Sequence, residues 1–261
     1  GVLGGLPVTE IRLRTVRGPG LAEAFADAAG TLVVCDAETQ RDLAAIASAG
    51  LLADARVRFV GSSALARALV PHLTGPSERT PVAGPGQPPG GVLYVLGTGA
   101  ESARAQADLL TRRTAATGLA LRAPDLARLT PALVAELGGQ LASHLAERSV
   151  IVQVERPMEL VSGSAVVAGL AAIVGATMAA APRWPVRLVL SGGQTARAVL
   201  EALGRPGLTL VGEIHPGAVL MTTDAGWLVA TRPGSHGGPD SLWAIHEAMS
   251  TPSTQRGDTH E

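Results

Sequence analysis

Lysine is missing from this chain; all 21 of its Lys and Arg positions are arginine. A side-chain cation that meets a phosphate must therefore be Arg or His, with a metal as the remaining choice. The single cysteine, Cys35, excludes an internal disulfide and any metal site built on several thiolates. On its apolar run it reads as a small core residue. Aromatics make up only 2% of the residues, too few for platforms that stack nucleic-acid bases. The net charge of -1 leaves no basic excess for nucleic acid, and no polybasic run suits an anionic membrane surface. The histidines lack metal-ligand spacing, so no structural metal is expected. No basic stretch precedes a cleavable apolar segment, so no signal peptide is read and a cytoplasmic location is expected.

The 261 residues, 46% hydrophobic and 16% charged, suffice for one large or two small domains with a sizeable core. One stretch raises the membrane question. Leu160 to Ala181 is uncharged and long enough to span a bilayer. It is mostly Ala, Gly, Ser and Val, which insert weakly, and Pro157 and Pro182 bracket it. It is read as a buried helix packed against a sheet.

Along the chain, Val8 to Val16 alternates like a strand, Leu21 to Ala29 has helical spacing, Thr31 to Cys35 is β-rich, and Asp42 to Ala49 is helical. Val57 to Val60 reads as another strand, followed by Gly61-Ser62-Ser63 and a helix. Residues 76–91 are dense in Pro and Gly and predict a linker between residues 1–75 and a second domain over 92–250. The second domain opens with a strand, the turn Gly97-Thr98-Gly99 and a helix. It continues through a helix over Pro131 to Ala146, a strand over Ser149 to Val154, the Ala-rich helix and a strand over Val186 to Leu190. A further strand at Leu208 to Val211 and a hairpin over Ala218 to Thr231, turning at Asp224-Ala225-Gly226, follow. Asp240 caps a last helix, and 251–261 is a polar tail. The expected fold is α/β: two α/β domains with mainly parallel sheets, the second carrying a C-terminal hairpin.

Three glycine-containing segments stand out. Gly97-Thr98-Gly99 follows an apolar strand and precedes a helix, where free N–H groups and the positive dipole end attract anions. It is not a Walker A loop, and Ser102 stands where a dinucleotide fingerprint needs its third glycine. Ser191-Gly192-Gly193-Gln194-Thr195 occupies an equivalent position and adds hydroxyl and amide donors. Both turns belong at the carboxyl edge of a parallel sheet, where α/β folds bind ligands; tight helix–sheet packing is the alternative. Arg232 to Gly238 offers a cation and more glycines, or is an ordinary surface loop. His236 in it is either an acid–base group or simply solvated. Asp36 ends a strand in the first domain, where it either binds a substrate hydroxyl or caps the next turn.

Taken in order, these pieces resemble the four-carbon acid sugar kinases. VCDAETQRDLAAIA is similar to that family's Asp-Ala, then Asp-Leu segment, and RFVGSSALARAL to its Gly-Ser turn and helix. VLGTGAESARAQADLL resembles its strand-end turn with a downstream Gln. LVLSGGQTARAVLEALG resembles its Gly-Gly-x-Thr motif, EIHPGAVL its Pro-Gly segment, and ATRPGSHGGPDSL its Lys-x-Gly-x-Phe-Gly loop, with Asp-x-Leu following. The likeness runs to about Met249. It implies an N-terminal domain that binds a sugar acid and a C-terminal domain that binds ATP with Mg²⁺. The implied reaction is phosphoryl transfer to the terminal hydroxyl of a threonate, erythronate or 3-oxo-tetronate.

By the same match, Gly97, Thr98, Gly99, Ser191, Gly192, Gly193, Gln194, Thr195, Gly217, Gly234 and Gly237 would hold ATP, and Arg232 would neutralise phosphate. The resemblance leaves room for a homo-oligomer. Arg232 replaces the family's Lys and His236 its Phe. The family's Asp-Asp-x-Thr-Gly segment has no counterpart, so the chain is expected to be N-terminally truncated. The general base would lie in that segment, with Asp36 the second choice. A nucleotide-binding module without catalysis is one alternative function. An NAD(P)-dependent oxidoreductase is another, resting on the GTGAES turn and on Asp125 at about the right offset for a ribose-binding acid.

Overall fold

The computed structural model describes residues 5, 7–54, 56–73, 90–155, 161–180, 186–205 and 207–250. It divides into two compact units, residues 1–79 and 80–261. Most of the expected linker, its residues 76–89, lies outside the described residues, as do the expected tail and Pro157 and Pro182, which bracket the Ala-rich run.

The first unit holds β1 (Val8–Ile11), α1 (Leu13–Val16), α2 (Leu21–Asp27), β2 (Leu32–Cys35), α3 (Gln40–Ala53) and α4 (Ser63–Leu73). β1 and β2 pair in parallel, from Val8↔Leu32 to Ile11↔Cys35. Ile11, Val16, Leu21, Phe25, Ile46 and Ala49 close the core. Two expectations are corrected here. The first strand stops at Ile11, because the Asp36 carboxylate accepts the Leu13 N–H (3.2 Å) and turns the chain into α1. Residues 57–60 form no strand: Val60 is 91% exposed and pairs with no strand among the described residues.

α3 begins with a capping box, in which the Thr39 side chain accepts the Asp42 N–H and Asp42 accepts the Thr39 N–H. Arg17 grips the same Asp42 carboxylate with two nitrogens, each at 2.9 Å. This grip holds the Asp42 carboxyl well below the usual carboxylate range. A carboxyl depressed by folding contributes stability above its unfolded value of about 3.9, lost as pH falls through the folded value. Asp42→Asn should therefore lower the urea midpoint of this unit at pH 7. The gap to the parent should narrow as the pH is taken below 4; a gap independent of pH would show that the ion pair contributes nothing.

The second unit is a seven-stranded sheet in the order β4-β5-β3-β6-β9-β8-β7. Its elements in chain order are β3 (Leu93–Leu96), α5 (Glu101–Thr114), β4 (Thr117–Arg122), α6 (Ala123–Leu126), α7 (Pro131–Glu147), β5 (Val150–Glu155), α8 (Gly163–Ala180), β6 (Arg187–Ser191), α9 (Gly193–Ala202), β7 (Thr209–His215), β8 (Ala218–Thr222), β9 (Leu228–Arg232) and α10 (Ser241–Ser250). The five strands β4, β5, β3, β6 and β9 run parallel, and β8 and β7 add an antiparallel edge. The expected hairpin is β8–β9, and β7 extends it to three strands. β4 escapes the sequence reading because its TGLALR carries Gly and Ala where a strand usually carries branched residues.

The central strands are apolar throughout because helices cover both faces. On one face Leu93, Val95, Val152, Leu188 and Leu190 pack with α7, α8 and α9 through Leu141, Leu145, Leu170, Ile173 and Val199. On the other, Tyr94, Leu96, Ile151 and Val189 meet α5 and α10 through Ala107, Leu110, Leu242 and Ile245. Among the described residues α8 alone is long and apolar enough to cross a membrane. Its large side chains Val166, Leu170, Ile173 and Val174 are buried in this core, and its exposed positions are small ones such as Ser164, Ala168 and Ala172. Core packing thus accounts for the uncharged run.

Candidate nucleotide site

The register brings the carboxyl ends of the parallel strands level: Leu96 pairs with Gln153 on one side and Ser191 on the other, and Ser191 pairs with Arg232. After β3 the chain turns onto one face as α5; after β6 it turns onto the opposite face as α9. Adjacent parallel strands whose connections part in this way leave a crevice between their ends, the usual ligand position in open α/β sheets.

The two glycine turns meet there. The Gly97 N–H donates to the Ser191 carbonyl at 3.3 Å. A side chain at position 97 would place its Cβ 1.9 Å from Thr195 Oγ1, so only glycine lets the turns close. Gly192, the N-cap of α9, has φ of +108°, a conformation that favours glycine. α9 has no side-chain cap and no acid in its first turn, so its leading N–H groups and dipole are not offset locally. Gln194 in that turn is exposed, whereas Thr195 is buried against Gly97.

The loop after β9 closes the third side. A Cβ at Gly234 would lie 3.4 Å from Thr98 Cβ, and one at Gly192 would lie 4.0 Å from Gly234 Cα. Ser191 is fully buried; its hydroxyl donates to the Gly234 carbonyl (2.7 Å) and accepts from Arg232 Nε (3.0 Å). Its hydroxyl therefore pins the loop instead of pointing at a ligand.

Arg232 is 3% exposed and lies beneath the loop. Its Nη1 donates to Gln106 Oε1, the His236 carbonyl (2.7 Å) and Ser241 Oγ (3.1 Å). All of these partners are neutral, and Arg232 makes no ion pair among the described residues. Its buried Nη2 has no hydrogen-bond partner among the described residues. Burial pushes the guanidinium down to about 10, which still leaves it charged at neutral pH.

His215 and His236 fasten the loop to the β7–β8 turn. His236 Nε2 donates to the Pro216 carbonyl at 3.0 Å, over Gly217. His215 Nδ1 donates to the same carbonyl, so its Nε2 accepts from Ser241 Oγ at 2.9 Å. Gly217 thus lies under the His236 ring, and Gly237, at φ +95°, lies against Ser241. Sequence reasoning singled out neither Ser241 nor His215, since their roles depend on which elements meet.

A cavity of about 860 Å³ opens from the same edge, lined by Thr98, Gly99, Glu101, Asp108, Gln153 and Glu155. Among the described residues no three His, Cys, Asp or Glu are grouped to hold a metal. Asp36 belongs to the first unit, where its carboxylate accepts the Leu13 N–H at the start of α1, a helix that precedes it in the chain and not the turn that follows it. Asp125 lies in α6 after the edge strand β4, with β5 between β4 and β3. The dinucleotide fold needs its second strand beside the first, so this acid is not placed for a ribose bound at the Gly97 turn.

A family model described as a nucleotide-binding C-terminal domain matches residues 93–242, and one described as a sugar-binding N-terminal domain matches residues 4–69. The chain is 31% identical over 233 residues to a D-threonate kinase of Cupriavidus necator, covering 83% of this chain and 53% of that protein. It therefore spans about half the length of that curated relative. A domain of unknown function from Bordetella bronchiseptica, crystallised with citrate as a domain-swapped dimer, is 26% identical, with a TM-score of 0.53. That match covers 97% of this chain and 61% of the other. A Haemophilus influenzae protein (18% identity, TM-score 0.62, 94% of this chain and 61% of that one) shares the fold. So does a putative tRNA synthase of Salmonella typhimurium (16% identity, TM-score 0.63, 95% and 61%). With both of its units matched in order by that family's two domains, the chain belongs to the four-carbon acid sugar kinase family.

Proposed function

We propose that the second unit binds ATP at the β3/β6 crevice, and that the whole protein transfers the γ-phosphoryl group to the terminal hydroxyl of a four-carbon sugar acid such as a threonate. In that reaction the hydroxyl oxygen forms a bond to the γ-phosphorus as the bond to the bridging oxygen breaks, releasing ADP and a proton. The observation that carries the nucleotide reading is Arg232: a buried cation with only neutral partners, set beneath three glycine-rich segments that converge on one crevice. An uncompensated buried charge is costly, and a bound polyanion would offset it.

The residues fit the group. The α9 N-terminus and the Gly97–Gly99 turn would cradle phosphates, and the exposed Gln194 amide could donate to them. Arg232 would act from below, through its field and by fixing the loop. The cavity is of a size to take the nucleoside, where Glu101, Asp108 and Glu155 would accept from ribose hydroxyls and the base amino group. Mg²⁺ would rest mainly on phosphate oxygens, and when bound it would neutralise part of their charge. Catalysis on this plan is chiefly positioning and electrostatics.

Calorimetry with Mg·ATP tests the first half, with binding to this chain as the expected result. A coupled ADP-release assay with a panel of threonates, erythronates and 3-oxo-tetronates tests the second. Absence of ATP binding would overturn the site. The match of residues 93–242 to a nucleotide-binding domain supports a second reading by itself: binding without turnover would identify a nucleotide-binding module.

A further inference from the structure

Gln106 is a polar side chain in a core position. It lies on the apolar stripe of α5 with Ala103, Ala107 and Leu110, and is 1% exposed. Its amide has one workable orientation. Oε1 faces Arg232 Nη1, which can only donate, so Nε2 must donate elsewhere. It does so twice, to the carbonyls of Gly237 (3.2 Å) and Gly238 (2.8 Å).

These bonds fix more than the carbonyls. In a trans peptide the C=O of one residue and the N–H of the next point in opposite directions. Ser191 holds the Gly234 carbonyl, Arg232 that of His236, and Gln106 that of Gly237. The N–H groups of Ser235, Gly237 and Gly238 must then point away from the buried network. Among the described residues none of the three makes a hydrogen bond. Successive outward N–H groups of this kind form an anion-binding concavity. The same loop abuts Thr98 and Gly192.

We infer that Gln106 is a positioning residue for phosphate: locked by Arg232, it holds the Gly237–Gly238 peptides with carbonyls inward and N–H groups toward the ligand. The inference rests on the nucleotide reading of this edge, but its test separates the two. Gln106→Met keeps the length and removes both donor and acceptor. Gln106→Glu keeps the shape and the Arg232 acceptor, and loses the donor to the two carbonyls; it also serves should the Met variant fold poorly.

Amide exchange of the full chain without nucleotide reads the loop directly. Both variants should speed exchange at the two hydrogen-bonded loop amides, His236 (to Pro233) and Ser241 (to Gly238), by about tenfold or more while β3 and β6 stay protected. Calorimetry should show affinity for Mg·ATP falling by a similar factor, with affinity for adenosine unchanged. Exchange that is unaltered at the loop, or raised uniformly across the unit, would overturn the inference, the latter marking Gln106 as a core residue only. Equal losses for ATP and adenosine would also overturn it. If the parent binds no ATP, the nucleotide reading fails whatever the exchange data show.

Discussion

Gly97→Ala should abolish nucleotide binding and destabilise the second unit by roughly 1–3 kcal/mol, the usual range for overpacking a closed core. The added Cβ would stand 1.9 Å from Thr195 Oγ1 and 3.0 Å from Thr195 Cβ. Thr195 cannot swing clear: it is 2% exposed, in the first turn of α9. Rotation about χ1 would replace its hydroxyl with its methyl, whose carbon is already 3.3 Å from the new atom. The strain should therefore push the α9 N-terminus away from the Gly97 turn and open the crevice. Gly97 is not among the positive-φ glycines, so the effect is one of contact and not of backbone conformation. This distinction is testable with a second substitution. Thr195→Ala removes Oγ1 and Cγ2, and the double variant should recover much of the stability lost by Gly97→Ala. Melting curves and ATP calorimetry on the four proteins of the cycle give the coupling. A stable, ATP-binding Gly97→Ala protein would show that the turns are not in essential contact.

Arg232→Met should lower ATP affinity by about 100-fold, on the scale of a lost charge-assisted interaction of about 1.5–3 kcal/mol. Its effect on stability should be smaller than its effect on binding. Removal of the guanidinium leaves Ser191, Gln106 and Ser241 short of a partner and frees the His236 carbonyl, but it also removes a buried charge that has no counter-ion. These two contributions oppose each other in the free protein. With ATP bound only the loss remains, because the charge was then compensated. Arg232→Lys should rescue little: one ammonium cannot reach Ser191 on one side and Gln106, His236 and Ser241 on the other, as the planar fork does. Melting temperatures measured with and without saturating Mg·ATP separate the terms. The parent should gain far more from nucleotide than either variant; equal gains would remove Arg232 from the binding machinery.

Part of the site could be read directly along the chain. Two glycine turns, each between an apolar strand and a helix, point to the carboxyl edge of a parallel sheet, because the local pattern of strand, turn and helix is written in consecutive residues. Gln106 left a quieter signal, a polar residue on the stripe formed by Ala103, Ala107 and Leu110. Other features gave no local sign. Val57 to Val60 has strand-like residues but pairs with no strand among the described residues, and a strand exists only through its neighbours. Thr117 to Arg122 has weak strand residues and still pairs along its full length with β5. Ser191 and Arg232 looked like ligand-facing groups, yet their register pairing turns them toward each other under the loop.

The sequence by itself determined the α/β class, the parallel sheet with its antiparallel edge, the burial of the Ala-rich helix and the candidate turns, since each follows from periodicity and composition over short spans. Only the tertiary structure decided which turns meet, that α5 and α9 leave the sheet on opposite faces, and that Arg232 has only neutral partners. Those facts depend on strand order and register, which bring together residues as far apart as Gln106 and Arg232; no local pattern in the chain encodes such a pairing.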